Sequence, residues 1–277
     1  MGGAVIQLTA SERAQLLALL EQRHGVGVRG AGSAGWLGQR IDAAIDDLGD
    51  RRGLDGPRIV DLLLADPSEL AALADVLRVG ETCLYRDPPQ WDALRAHLDA
   101  APPARLRGLS VGCSTGEEAW TLAMVLDAHG RGAPWRVVGV DRSEPALAVA
   151  RAAVYPASSA RHAPAELHRR YLVAREESLG VDPALHGRVS FALRDVTTGL
   201  PPGGYEIIVC KNLLIYFGHE AGTRLVDALM RALAPEGVLL VARSEVPRLR
   251  AMGHEGRTVA PGVTFFGPTA QGASRSG

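Results

Sequence analysis

The stretch Leu109 to Met124, LSVGCSTGEEAWTLAM, joins a glycine turn to two acids at the point where helical spacing begins. A nucleotide pyrophosphate favours a GxGxxG turn and a helix N-terminus left free for the anion. Here the turn holds only Gly112 and Gly116, and Glu117 and Glu118 follow at once, where they would repel a phosphate. Acids at a helix start are also favoured by the macrodipole, and Glu118 reads equally well as such a cap. Glu117 lies against the turn itself and suits a cationic ligand. Further on, Asp141 closes the apolar run WRVVGV, the place from which a carboxylate grips a ribose.

A ligand with a sulfonium, an ammonium, a ribose and no phosphate satisfies this set, and S-adenosylmethionine has all of these features. Two further segments point the same way. RDVTTGLP sets Asp195 where it can reach an adenine amino group, and VCKNLLIYF ends a strand-like run with Asn212. Tyr216 and Phe217, read by themselves, make a core aromatic pair. Arg86 in VGETCLYRDP, read by itself, is an exposed linker arginine ahead of a proline stop.

The elements that must position these residues fall into two grammars. Residues 9–24 open with Thr9 and Ser11 in a capping-box-like pattern and continue with leucines at helical spacing. WLGQRIDAAIDDLGD and RIVDLLLADPSELAALADVLRV read as further helices, punctuated by Gly53, Gly56 and Pro67. Residues 1–78 are therefore expected to form a helical domain. The segment 79–104 links it, through a proline-bounded helix, to a catalytic domain over 105–268, and 269–277 read as a tail.

From Arg107 strands alternate with helices. RGLSV, WRVVGV, RVSFALRDV, YEIIVC and GVLLVA read as strands, 115–128 and 219–233 as helices. SEPALAVARAAV reads as a helix capped by Ser143. GRTVAPGVTFFG reads as a hairpin turning at Pro261 and Gly262. This order predicts an α/β fold with a doubly wound, mainly parallel sheet, whose ligand sits at the carboxyl ends of the strands. Asp141, Asp195 and Asn212 all fall at or just past such ends. Residues 168–191 read as a small antiparallel excursion with turns at Gly180 and Gly187.

Composition narrows the function classes. The 277 residues are 47 % hydrophobic and carry a net charge of −1, which gives no footprint for nucleic acid. Cys83, Cys113 and Cys210 stand far apart without CxxC, and the eight histidines lack metal-ligand spacing, so no metal is expected. No apolar run reaches the ~20 residues of a membrane span. The start MGGAVIQLTASER has neither a signal peptide's pattern nor a myristoylation pattern, and a cytoplasmic protein is the expectation.

The segments ETCLYRD, CSTGEEAWTLAM, GVDRSEPALAVARAAVY, CKNLLIYF and RSE at 243–245 together resemble the CheR-type chemotaxis receptor methyltransferases. The resemblance runs in family order from residue 79 to about 266. It implies a class I methyltransferase-like sheet, with a small helical N-terminal domain and a β-subdomain at 168–191. It also implies methyl transfer from S-adenosylmethionine to glutamate carboxylates of a chemoreceptor-like protein. Arg86 and Tyr216 match the motif arginine and tyrosine and are expected to be catalytic. Thr82, Gly112, Cys113, Ser114, Glu117, Asp141, Asp195, Val196, Asn212 and Leu213 are the expected cofactor contacts. Two departures stand out. Leu84 and Tyr85 replace the family's two phenylalanines before the arginine. The helix QRIDAAIDDLGD sets Asp42, Asp46, Asp47 and Asp50 against Arg40, where receptor-directed members tend to be basic. An acidic receptor helix matches this surface poorly. Another protein, a small carboxylic acid, or a purely binding role for the module remain the alternatives.

Overall fold

Leucines and isoleucines at helical spacing build the first unit. A computed structural model describes residues 8–24, 33–78, 82–100, 104–130 and 132–268; the expected tail at 269–277 and the side chain of Arg40 lie outside them. Helices α1 (Ala10–His24), α2 (Ser33–Arg52), α3 (Gly56–Ala65) and α4 (Pro67–Arg78) bury Leu16, Leu20, Ile41, Ile45, Ile59, Leu63 and Leu70 in one core. The starts of α1, α3 and α4 are fixed by side chains. Thr9 and Glu12 form a reciprocal cap on α1, with Thr9 N–H donating to Glu12 at 2.8 Å. Asp55 accepts from Arg58 N–H at the head of α3, and Asp66 from Ser68 N–H at the head of α4. The described residues cluster into two compact units, residues 1–80 with 214–222, and residues 81–213 with 223–277.

The second unit begins with α5 (Pro88–Ala100) and then alternates: β1 (Leu106–Val111), α6 (Glu117–His129), β2 (Trp135–Asp141), α7 (Glu144–Ala152), β3 (Val154–Pro156) and α8 (Ala165–Tyr171). It continues with β4 (Leu172–Arg175), β5 (Ser178–Val181), α9 (Pro183–His186), β6 (Val189–Leu193) and β7 (Tyr205–Cys210). Last come α10 (His219–Ala232), whose first turn groups with the helical unit, then β8 (Leu233–Val241), α11 (Val246–Ala251), β9 (Gly256–Ala260) and β10 (Val263–Phe266). The main sheet runs β6-β2-β1-β7-β8-β10-β9, with β6, β2, β1, β7 and β8 parallel and the β9–β10 hairpin antiparallel. The chain winds one way from β1 through β2 and β6, and the other way through β7 and β8. This is the doubly wound arrangement, and its switch point lies between β1 and β7.

Sequence and structure differ at the junction after α7. The helix read through Val154 stops at Ala152, because Ala153 turns left-handed at φ 52°. Val154–Pro156 then pair with β5, giving a separate antiparallel sheet in the order β3-β5-β4. This small sheet therefore reaches back to residue 154, while residues 189–191 belong to β6 of the main sheet. Among the described residues no helix is long and apolar enough to cross a membrane.

Candidate active site

The turn after β1 is built by left-handed residues. Gly112, Ser114 and Gly116 have φ of 70°, 50° and 94°, so the chain folds back three times before α6 starts. Gly116 makes the helix begin at Glu117 instead of residue 115, and a Cβ on it would come within 2.6 Å of the Ala150 Cβ. Cys113 N–H donates to the Val140 carbonyl at 3.0 Å, which draws the turn over the end of β2. There Asp141 accepts from Ser114 N–H at 2.8 Å and from Ser143 N–H at 3.0 Å. Each carboxylate oxygen keeps a second lone pair for a ligand hydroxyl.

Three carboxylates converge on this turn. Burial pushes the Cys113 thiol well above its ordinary range, and the charges of Asp141, Glu118 and Glu117 add to the effect. The thiol is thus a packed, protonated group. Glu117 is 4 % exposed, and burial raises its carboxyl although Thr115 Oγ1 donates to it at 2.6 Å. Glu118 turns out not to be a cap: it reaches β1 and accepts from Ser110 Oγ at 2.8 Å. Burial raises its carboxyl, opposed by Lys211 and, less strongly, Arg86. A donor set of carboxylates without a free helix terminus fits a cationic, phosphate-free ligand with hydroxyls, and S-adenosylmethionine meets each demand.

Across the switch point, Leu213 packs against Gly112, with its side chain 3.0 Å from where a Cβ would stand. Asn212 holds a left-handed φ of 59°, and its N–H donates to the buried Glu245 carboxylate at 3.1 Å. Asp195 lies two residues past β6, exposed, and accepts from Thr197 N–H at 2.9 Å. The adjoining Arg194 N–H donates to the Asp141 carbonyl at 2.8 Å, so the β2 and β6 ends are neighbours. Val196 and Thr82 are half-buried.

A cavity of about 450 Å³ lies beyond the β7 and β8 ends, lined by Arg86, Asp87, Gln90, Lys211, Asn212, Ala242, Arg243 and Ser244. It brings Arg86 together with Asn212. Lys211, Glu245 and Gln90 carry no site signal of their own in the sequence. A lysine after an apolar strand carries no sign of burial, yet Lys211 is 8 % exposed. Tyr216 is buried on the single turn Leu214–Tyr216, which groups with the helical unit, and Phe217 is buried beside it in sequence. Among the described residues no group of three or more His, Cys, Asp or Glu could hold a metal ion.

Residues 80–255 match the family model of the CheR methyltransferase SAM-binding domain. The chain is 35 % identical over 196 residues to the probable biofilm formation methyltransferase WspC of Pseudomonas putida, covering 67 % of this chain and 46 % of that protein. It is 30 % identical over 200 residues to WspC of Pseudomonas aeruginosa, covering 69 % and 47 %. The chain thus spans about half the length of these two relatives. Chemotaxis protein methyltransferase 1 of Pseudomonas aeruginosa is 26 % identical over 207 residues, 70 % of this chain and 76 % of that one. Among solved structures, a SAM-dependent methyltransferase of Geobacter sulfurreducens in complex with S-adenosyl-L-homocysteine is similar at a TM-score of 0.37 and 20 % identity, covering 59 % and 51 %. With residues 80–255 matched, this chain belongs to the CheR methyltransferase family and carries its S-adenosylmethionine-binding domain.

Proposed function

We propose that this protein methylates glutamate side-chain carboxylates of a partner protein in the cytoplasm, a chemoreceptor-like helical protein being the acceptor. The observation that carries the reading is the cavity at the β7 and β8 ends, where Arg86, Lys211 and Arg243 gather beside Asn212. A glutamate carboxyl is already ionised at neutral pH. When bound, S-adenosylmethionine supplies a methyl group on a positively charged sulfur: an O–C bond forms as the C–S bond breaks, sulfur keeps the electron pair, and no proton moves.

The residues are then left with alignment. Arg86 holds both oxygens of the acceptor carboxylate in a two-pronged contact. Asp141 takes the ribose hydroxyls, Glu117 faces the cationic end, and Asp195 with Val196 takes the adenine. Gly112, Cys113, Ser114 and Leu213 shape the turn around the ligand, and Thr82 and Asn212 complete the contacts. Tyr216, the family's motif tyrosine, is assigned to positioning the reacting methyl. The small β3-β5-β4 sheet, with β4 at its edge and Val173 48 % exposed, is assigned to docking a peptide strand.

An acceptor screen with radiolabelled methyl donor, scored by base-labile release of methanol, tests the chemistry. Arg86→Ala should keep near-normal cofactor affinity while turnover falls about 10²-fold, the scale of misplaced reactants. Tyr216→Phe should lose less. Normal turnover by Arg86→Ala overturns the assignment. The acidic face of α2 favours a different protein acceptor as the second reading, and methylation of such a protein in the screen would select it.

A further inference from the structure

We propose that Lys211 is a positioning residue for methyl transfer: it clamps the Arg86 backbone so that the guanidinium enters the acceptor cavity in one orientation. The inference rests on the role given to Arg86 above. Lys211 follows the last residue of β7, and its ammonium is buried instead of snorkelling to water. Nζ donates to the Arg86 carbonyl at 2.7 Å and stands 4.8 Å from the centre of the Trp91 ring. Trp91 Nε1 donates to the same carbonyl at 2.9 Å. Both lone pairs of that oxygen are therefore used, one by a cation and one by an indole.

The backbone around Arg86 needs such restraint. Tyr85 and Asp87, on either side, are non-glycine residues at φ 59° and 63°. Left-handed conformations of this kind persist only where the surroundings over-determine them. Tyr85 N–H donates to Thr121 Oγ1 at 2.9 Å, and the Arg86 carbonyl takes the two donors just described. A buried ammonium is costly, and an apolar side chain of equal length would fill the space. Lys211 has a second task that an apolar residue could not perform. It holds down the buried Glu118 carboxyl more strongly than Arg86 does.

The test compares Lys211→Met, Lys211→Arg, Arg86→Ala and the Lys211→Met/Arg86→Ala double variant. Turnover is read with radiolabelled S-adenosylmethionine on the acceptor from the screen, cofactor affinity by calorimetry, and the clamp by amide hydrogen exchange. Lys211→Met should lower kcat about tenfold or more at unchanged cofactor affinity, the signature of a misaligned reactant. Lys211→Arg should recover most of the loss, and the double variant should be no slower than Arg86→Ala. Exchange at the Tyr85 amide should quicken in Lys211→Met while β1 and β7 stay protected. Should Lys211→Met fail to fold, Trp91→Phe removes the other donor and should show the same pattern more weakly. Normal turnover by Lys211→Met, losses that multiply with Arg86→Ala, or unchanged exchange at Tyr85 each overturn the proposal. Normal turnover by Arg86→Ala alone sinks the functional reading instead, and the exchange measurement then still decides the clamp.

Discussion

The Glu245 carboxylate accepts from Asn212 N–H at 3.1 Å, and the same oxygen accepts from Ala242 N–H at 2.9 Å. One side chain, 1 % exposed, thus ties the chain leaving β7 to the chain leaving β8. Replacing it by alanine leaves two backbone donors without this acceptor. Glu245→Ala should cost about 2–3 kcal/mol in urea unfolding, and Glu245→Gln, which keeps an oxygen, roughly half of that. Equal stability of the two variants would show that the donors find other partners.

Two glycines separate backbone strain from steric overlap. Gly132, at φ 80°, has nothing within 4 Å of the position a Cβ would take, whereas a Cβ on Gly116, at φ 94°, would meet the Ala150 Cα at 2.9 Å. Gly132→Ala should therefore cost about 1 kcal/mol, the left-handed penalty alone. Gly116→Ala adds overlap with backbone and should cost about 3 kcal/mol or more. Thermal and urea midpoints of the pair check the difference, and equal losses would refute it.

Burial raises the Glu117 carboxyl above its ordinary value of 4.5. The folded state then favours the protonated form, a contribution complete below 4.5 and lost as pH rises through the raised folded value. Glu117→Gln resembles the protonated form at every pH. Its stability relative to the parent should therefore grow across that window and level off above it, while affinity for S-adenosylmethionine falls. A stability difference that does not change with pH would place the burial penalty elsewhere.

On α2 the acids are not equivalent. Asp42 is committed to Arg13, whereas Asp47 and Asp50 are exposed, with Asp47 paired to Arg51 at 2.9 Å. Reversing Asp47 and Asp50 to lysine should leave stability within about 1 kcal/mol. Methylation of an acidic receptor helix should speed up several-fold at low salt, and the gain should fade near 0.15 M as screening sets in, on the order of an 8 Å Debye length. No change at low salt would remove this helix from acceptor choice.

The strands of the main sheet and the Ser143 cap were legible because they rest on local pattern; Ser143 Oγ does accept from Ala146 N–H at 3.3 Å. The start of α6 was read two residues early, since helical spacing cannot reveal that Gly116 is left-handed. Val154–Pro156 looked like the tail of a helix. Its strand character comes from pairing with residues 178–180, a contact that sequence order does not announce. At the candidate site, the placement of Asp141 and Asn212 at or just past strand ends was legible, because the apolar runs that precede them mark those ends. Lys211 and Glu245 escaped, because their roles consist of bonds to backbone atoms of other segments.

Of the six non-glycine residues with positive φ among those described, Asp87, Ser114 and Asn212 belong to the candidate site and Tyr85 precedes Arg86 in the chain. Tyr85 and Ser114 hold a shape that L side chains rarely adopt, and Asp87 and Asn212, whose types tolerate it best, still fit it less well than glycine, so selection for thermal stability alone would push these positions toward glycine or another relaxed state. Under the proposed function, alignment for methyl transfer pulls the other way. On that reading, a lineage released from catalysis is expected to drift at these four positions before its core changes, and such drift is what the loss of activity would look like in a descendant's sequence.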